Sequence, residues 1–399
     1  MTINNENKKL NVPNLRFPEF QGEWEKCKLS EICTFFSGGT PSSSNKDFYG
    51  GNIAFIRSGE LHANSTELFI TKAGFNSSSA KMVEVGDLLL AMYGATSGEI
   101  AISKIEGAIN QAILCVRTKQ NKKFIESVWN KHVSKILRKY LQGGQGNLSA
   151  DIVKGISFYF PTIAEQGRIA NLVSLLDERI ATQNKVIDKL QSLIKGLNNY
   201  FYQQYGNDVE TSFSDLGYSY SGLSGKSATD FGSGKPFITY LNVYSNAVID
   251  ETSYQYVRIG NKEKQNVVRY GDVLFTLSSE TPEEVGIGSV YLGNEEVYLN
   301  SFCFGIHITK AQKAFSPYMS YYISTSQFRK FIYPFAQGST RFNLCKADFE
   351  KATIKLPTLE NQKQFYKSLK TLSDKIALEE SALNQYYNQK QYLLRQMFI

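Results

Sequence analysis

From Ile169 onward the apolar residues fall at alternating steps of four and three: Ile169, Val173, Leu176, Ile180, then Gln183, then Ile187, Leu190, Ile194, Leu197 and Phe201. That spacing is the seam of a coiled coil. It predicts one helix from about Ala164 to Tyr205, about 60 Å long at about 1.5 Å per residue. A second seam follows with more polar interruptions: Phe365, Leu369, Leu372, Ile376, Glu379, Leu383, Tyr386, Lys390, Leu393 and Met397. Thr162 with Glu165 three residues on has the form of a capping box after Pro161, whereas Thr358 is followed at that distance by Asn361.

The seams belong to a larger repeat whose offset grows from 184 to 196 residues. Leu29-Ser30-Glu31-Ile32 answers Phe213-Ser214-Asp215-Leu216, and Gly86-Asp87-Leu88-Leu89-Leu90 answers Gly271-Asp272-Val273-Leu274-Phe275. Asn147-Leu148 answers Asn343-Leu344, and Phe160-Pro161-Thr162 answers Leu356-Pro357-Thr358. The drift places insertions in the second copy around Thr281-Pro282-Glu283-Glu284. Each copy opens with short runs such as Asn52–Ile56 and Pro236–Tyr240, rich in Ile, Phe and Tyr and bounded by Gly, Ser and Asn, which is a strand signal. A local helix is expected near Phe124 to Leu141 and near Ser316 to Phe335. The fold class is therefore α+β, with domains at 1–161 and 206–357 and long helices at 162–205 and 358–399.

A helix with such a stripe requires a partner, and the other seam supplies one. The second domain leaves the end of the first helix and enters the start of the second, so the expected packing is an antiparallel coiled coil. Gln183 and Glu379, each mid-seam, are expected to face one another and set the register. Two similar domains on such a rod match the symmetry of duplex DNA, whose half-sites recur about every 34 Å.

Composition narrows the partner only slightly. The chain has 44 Lys+Arg against 37 Asp+Glu, a formal charge of +7, which suits a polyanion and an ordinary basic protein equally. The N-terminal stretch is polar and no run approaches a membrane span, so a cytoplasmic location is expected. Five scattered cysteines, without Cys-x-x-Cys spacing, indicate neither a disulfide framework nor a zinc site. His62, His132 and His307 are dispersed. Gly222-Leu223-Ser224-Gly225-Lys226-Ser227 lacks the glycine a phosphate-binding loop requires, since Tyr220 stands there, and no Asn-Pro-Pro motif of a methyltransferase occurs. A non-catalytic protein is expected. Two readings remain at this point: a DNA-binding module, and a coiled-coil scaffold whose β-rich lobes bind proteins or glycans.

Three segments of the first half carry a resemblance: Ser37-Gly38-Gly39-Thr40-Pro41-Ser42 followed by Gly51–Ile56; Gly86–Leu89 leading to Met92-Tyr93-Gly94-Ala95-Thr96; and Phe160–Gln166 opening the long helix. In the second half Tyr220–Ser227, Phe237–Val243 and Gly271–Phe275 match a second subtype of the same pattern. Over essentially its whole length the chain resembles the specificity subunit of a type I restriction-modification system. It departs in having one proline at each helix start and in Asn361, which separates Glu360 from Gln362. The resemblance implies two target recognition domains, each reading half of a bipartite, asymmetric site in double-stranded DNA. It implies helices that set the spacer and dock two methyltransferase (modification) subunits, with restriction (translocase-nuclease) subunits completing the enzyme. It implies no cofactor on this chain, with S-adenosylmethionine, ATP and Mg on the partner subunits.

The DNA-facing set expected in the first domain is Thr40, Ser42, Asn45, Lys46, Arg57, Ser58, Tyr93, Gln145 and Asn147. Arg57 leads it, because a guanidinium fork at a strand end suits guanine or phosphate. In the second domain the set is Ser221, Ser224, Lys226, Ser227, Tyr240, Asn242, Ser278, Ser279, Thr340, Arg341 and Asn343. Outside the globular parts, Val186, Leu193 and Phe398 are expected as apolar residues left exposed beside the seam.

Overall fold

The computed structural model describes residues 10–140 and 147–399. They form two compact units, one made by the chain up to Asn184 together with Ala382–Ile399, the other by Lys185–Ser381. The division falls within both long helices, so each unit holds one globular lobe and a part of each helix.

In the first unit the strands build two four-stranded sheets. One is ordered Cys33–Ser37, Ile113–Thr118, Leu88–Ala91, Ile100–Ile102 and is antiparallel throughout. The other is ordered Phe69–Ile70, Tyr49–Ile56, Gly107–Ile109, Lys81–Val83, with Phe55–Ile56 parallel to Ala108–Ile109. Leu88–Ala91 is buried on both faces, which explains its unbroken apolar run. Leu88 and Leu90 face the core shared with the helix Lys122–Tyr140, and Leu89 and Ala91 face the core between the sheets.

The second unit repeats this order. Gly217–Ser221, Cys303–Ile308, Val273–Thr276 and Gly288–Val290 form one sheet, and Gln255–Val257, Phe231–Ile238 and Tyr298–Leu299 the other. Phe237–Ile238 is again parallel to Tyr298–Leu299. Backbone bonds repeat in detail. Met92 N donates to Ala112 O at 2.8 Å and Leu148 N to Met92 O at 2.9 Å; Leu277 N donates to Phe302 O at 2.9 Å and Leu344 N to Leu277 O at 2.8 Å. Only the second unit, among the described residues, carries a small extra sheet of Ser278–Ser279, Phe342–Leu344 and Ala336–Gly338.

The local helix of the first copy forms as expected, but the single helix expected at Ser316 to Phe335 does not. It is broken into Ser316–Tyr322 and Ser326–Ile332, followed by a 3-10 turn at Tyr333–Phe335. Thr325 is the cause: its Oγ1 donates to Tyr322 O at 2.7 Å and accepts from Phe328 N at 3.1 Å, ending one helix and capping the next.

The long helices are Ile163–Tyr205 and Leu359–Met397. Within the first unit they run antiparallel: Ile169 and Val173 share a core with Leu394 and Met397, Asp177 pairs with Lys390 at 2.6 Å, and Arg179 lies over the Tyr386 ring at 4.9 Å. Lys390, a polar interruption of the seam, is thus matched by a carboxylate. Burial opposes the Asp177 charge, but hydrogen bonds from Lys123 and Lys390 outweigh it and hold the group below the usual carboxylate range. Within the second unit Phe201 stacks on Phe365 with ring centroids 4.2 Å apart.

At the start of the first helix the expected capping box forms only by half. Thr162 Oγ1 accepts from Glu165 N at 3.3 Å, but the Glu165 carboxylate turns to Arg16, at 2.7 and 2.8 Å, and to Trp24 Nε1 at 3.3 Å. The next residue is a buried clamp in both copies. Gln166 Nε2 donates to Gln120 Oε1 and Pro161 O while its Oε1 accepts from Asn121 N; Gln362 Nε2 donates to Lys313 O and Pro357 O while its Oε1 accepts from Phe315 N. Phe398 is not exposed beside the seam. It is 2% exposed and packs on Phe124 at 5.1 Å, a burial that stabilises by about 1.5–3 kcal/mol.

Candidate nucleic-acid interface

The Gly/Ser segments singled out in the sequence begin where the chain leaves one sheet and crosses to the other. A Cβ at Gly38 would lie 1.8 Å from Ile109 O, and one at Gly222 would lie 2.0 Å from Asn300 O. Only glycine permits the crossing, and it stands at the same place in both copies.

Beyond Gly38 the predicted residues separate into engaged and free. Thr40 Oγ1 donates to Gln111 Oε1, Ser42 and Ser44 share a hydrogen bond at 2.7 Å, and Asn45 caps a 3-10 turn by accepting from Asp47 N at 3.0 Å. Lys46 is exposed and, among the described residues, pairs with no carboxylate. Arg57, the leading candidate of this domain, forks onto Glu60 at 3.0 and 3.3 Å, and Glu60 also accepts from Arg57 N. It closes a turn that contains the half-buried Ser58. Tyr93 is half-buried against the helix-side core, and Asn147 is exposed. Gln145 lies outside the described residues.

In the second unit Ser221 and Ser224 are exposed, and Gln265 brackets the Ser224 backbone, accepting from its N at 3.1 Å and donating to its O at 2.8 Å. Lys226 is turned inward: its side chain is 8% exposed and bonds Glu263 at 2.6 Å and Arg258 O at 2.5 Å. The hydrogen bond from Lys226 is the main reason that the Glu263 carboxyl is lowered to about 2. Ser227 donates to Asp230 from both N and Oγ. Asn242 is 3% exposed, its amide bonded to Asp250 N and O, so it braces a turn.

Five of the predicted residues do converge. Tyr240, Ser278, Ser279, Thr340 and Arg341 line one cleft of about 710 Å³, together with Leu241, Tyr244, Glu280 and Glu284. Tyr240 OH donates to Ser278 O at 2.8 Å, and Glu284 accepts from Tyr244 OH at 2.8 Å and Ser279 Oγ at 2.9 Å. Asn343 is exposed on the strand paired opposite Ser278.

Arg329 escaped sequence reasoning, yet it holds one wall of this cleft. Its guanidinium donates to the carbonyls of Glu283, Val285 and Gly286 at 2.6, 2.8 and 2.9 Å. Burial lowers its pKa. The repeat itself was the available signal, because this turn is where the second copy is longer. From Leu90 to its partner Ile100 the chain advances ten residues, and from Phe275 to its partner Gly288 thirteen.

Each lobe contains a buried aspartate after the repeated glycine. Arg117 donates to Asp87 at 2.7 and 3.2 Å, with Lys122 at 3.6 Å. Burial opposes the Asp87 charge but Arg117 prevails, and the carboxyl sits below its usual range. At Asp272 the partners are Tyr220 OH at 2.5 Å, Arg269 N at 2.9 Å and His307 Nδ1 at 2.6 Å. There burial prevails and the pKa is raised.

Comparison with known proteins gives one consistent result. The family model described as type I restriction modification DNA specificity domain matches residues 21–192 and again 223–386. The chain is 21% identical to the type I restriction enzyme MjaVIII specificity subunit of Methanocaldococcus jannaschii, over 95% of this chain and 92% of that one. It is 29% identical to the EcoR124I/EcoR124II specificity subunit of Escherichia coli over 50% of each. In fold it is similar to the crystal structure of a type I restriction-modification S subunit from M. genitalium, with TM-score 0.58, 14% identity and 97% and 99% of the two chains covered.

Proposed function

The chain belongs to the type I restriction modification DNA specificity domain family, and from that premise we propose that each of its two lobes reads one half of a bipartite, asymmetric duplex site. The observation that carries this reading is one backbone fold used twice with unlike loops. An asymmetric two-part sequence calls for two platforms of the same kind whose contacting surfaces differ. Here the bonding around Met92 recurs around Leu277, while the turn that follows is longer and forms a cleft in the second lobe.

On this reading the chain supplies recognition and its partners supply chemistry. Two modification subunits dock on the helices and transfer methyl groups from S-adenosylmethionine, and restriction subunits use ATP and Mg for translocation and cleavage. Val186, Leu193 and Tyr200, 36%, 46% and 52% exposed at heptad spacing, form an apolar stripe that favours such docking. Among the described residues no three His, Cys, Asp or Glu side chains group as a metal site requires, and no helix is long and apolar enough to cross a membrane. We place the assembly in the cytoplasm with its DNA.

The test is co-expression with a modification subunit of the same system and mapping of methylated adenines. Exchange of residues 206–357 for those of another such subunit should change one half of the motif and leave the other intact. A motif unaffected by the exchange, or a complex without affinity for duplex DNA, would refute the reading.

A further inference from the structure

Within the cleft of the second lobe most polar groups are already satisfied: Tyr240, Tyr244, Ser279 and Glu284 are hydrogen-bonded around it, and the Tyr240 and Tyr244 rings stack 6.0 Å apart. Two charged side chains are not. Arg341 is exposed, its guanidinium 5.7 Å over the Phe302 ring, and Glu280 is exposed; among the described residues neither has an ion-pair partner, although both line the same concavity. A cation and an anion that line one cleft without pairing with each other fit a ligand that presents acceptors and donors side by side.

We propose that this cleft reads a G·C base pair, Arg341 binding the guanine edge and Glu280 the cytosine amino group. The inference rests on the half-site reading above. A phosphate is disfavoured, because Glu280 would repel it. An arginine fork offers donors only, so it matches the two major-groove acceptors of guanine rather than adenine, whose N6 also donates. A carboxylate accepts from cytosine N4 on the opposite strand. The Arg341 guanidinium lies 5.7 Å over the Phe302 ring, and Arg329 pins the nearby turn Glu283–Gly286, so the wall beside the pair is built before binding.

The test uses the complete complex of this chain with its modification subunit, carrying Arg341→Ala or Glu280→Ala, with methylation mapped on genomic DNA. Both variants should relax one G·C position in the half that residues 206–357 control, with discrimination there falling about ten-fold or more. Full discrimination retained in both variants, relaxation at an A·T position, or a uniform loss across sequences with a salt slope lowered by about one would each overturn the inference. If Arg341→Ala does not assemble, Glu280→Ala, a truncation at an exposed position, decides alone. Failure of the half-site reading looks different: the wild-type motif would not respond to exchange of residues 206–357 at all.

Discussion

In the first lobe the turn after Leu88–Ala91 is short, and the indole of Trp129 holds the Gly98 carbonyl at 2.8 Å; in the second the turn is three residues longer, and Arg329 holds the Gly286 carbonyl at 2.9 Å. The carbonyl is fixed in both, by different chemistry, and the longer turn contributes to the cleft that Tyr240 and Arg341 share. The buried aspartates repeat the lesson, with Arg117 as the partner of Asp87 and His307 as that of Asp272. The duplicated fold preserves backbone bonds and buried clamps while the groups at its edges diverge. Such divergence is what two readers of unlike half-sites require.

Removing the largest single asymmetry should break the comparison most visibly. Glu165 is 1% exposed and anchors Arg16 and Trp24, whereas Asn361, at the equivalent position in the second copy, is half-buried and bonds through its backbone N–H to Thr358 Oγ1 at 3.3 Å. Glu165→Ala should therefore cost about 3–5 kcal/mol, and Asn361→Ala below about 0.5 kcal/mol, as read by chemical denaturation. Equal losses would show that the two helix starts are energetically alike.

The paired aspartates give a smaller, pH-dependent contrast. The folded pKa of Asp87 lies below the unfolded value of about 3.9, so its stabilisation is complete above that pH and is lost as pH falls through the folded pKa. For Asp272 the folded pKa is raised, so acidification from neutral pH favours the folded lobe through this group, and that gain is lost as pH rises. Asp87→Asn should cost about 1.5–3 kcal/mol at pH 7, more than Asp272→Asn, with the gap closing in acid. Hydrogen exchange followed lobe by lobe checks this, and a gap independent of pH would contradict it.

The smallest effect separates two lysines that look equivalent in the sequence. Lys46→Ala should leave stability unchanged and lower the salt slope of DNA binding by about one. Lys226→Ala should lower the melting temperature of the second lobe and leave the slope unaltered, because that side chain is bonded to Glu263. A slope change in the Lys226 variant, measured by binding titrations across salt concentrations, would return it to the interface.

Periodicity and duplication were legible without coordinates. The seam of four-and-three steps located both long helices, and the Gly-Asp signal located the central strand of each lobe, because burial on a helix or strand face imposes a spacing that survives in the sequence. Side-chain partnership left no such trace. Arg57, Lys226 and Asn242 are polar residues near turns, as Thr340 and Arg341 are, yet the first three bond Glu60, Glu263 and Asp250 within their own turns or to a neighbouring loop. The helix break at Thr325 and the burial of Phe398 were equally silent, one resting on a hydroxyl's choice of acceptor and the other on a core supplied by residues far away in the chain.

The sequence by itself determined that this protein is a duplicated α+β unit with two long seam-bearing helices, since hydrophobic spacing and self-similarity are properties of the chain. Only the tertiary structure decided which polar groups remain free. That depends on distances between segments remote in sequence, which bring Arg341 and Glu280 to one cleft while satisfying the groups around them.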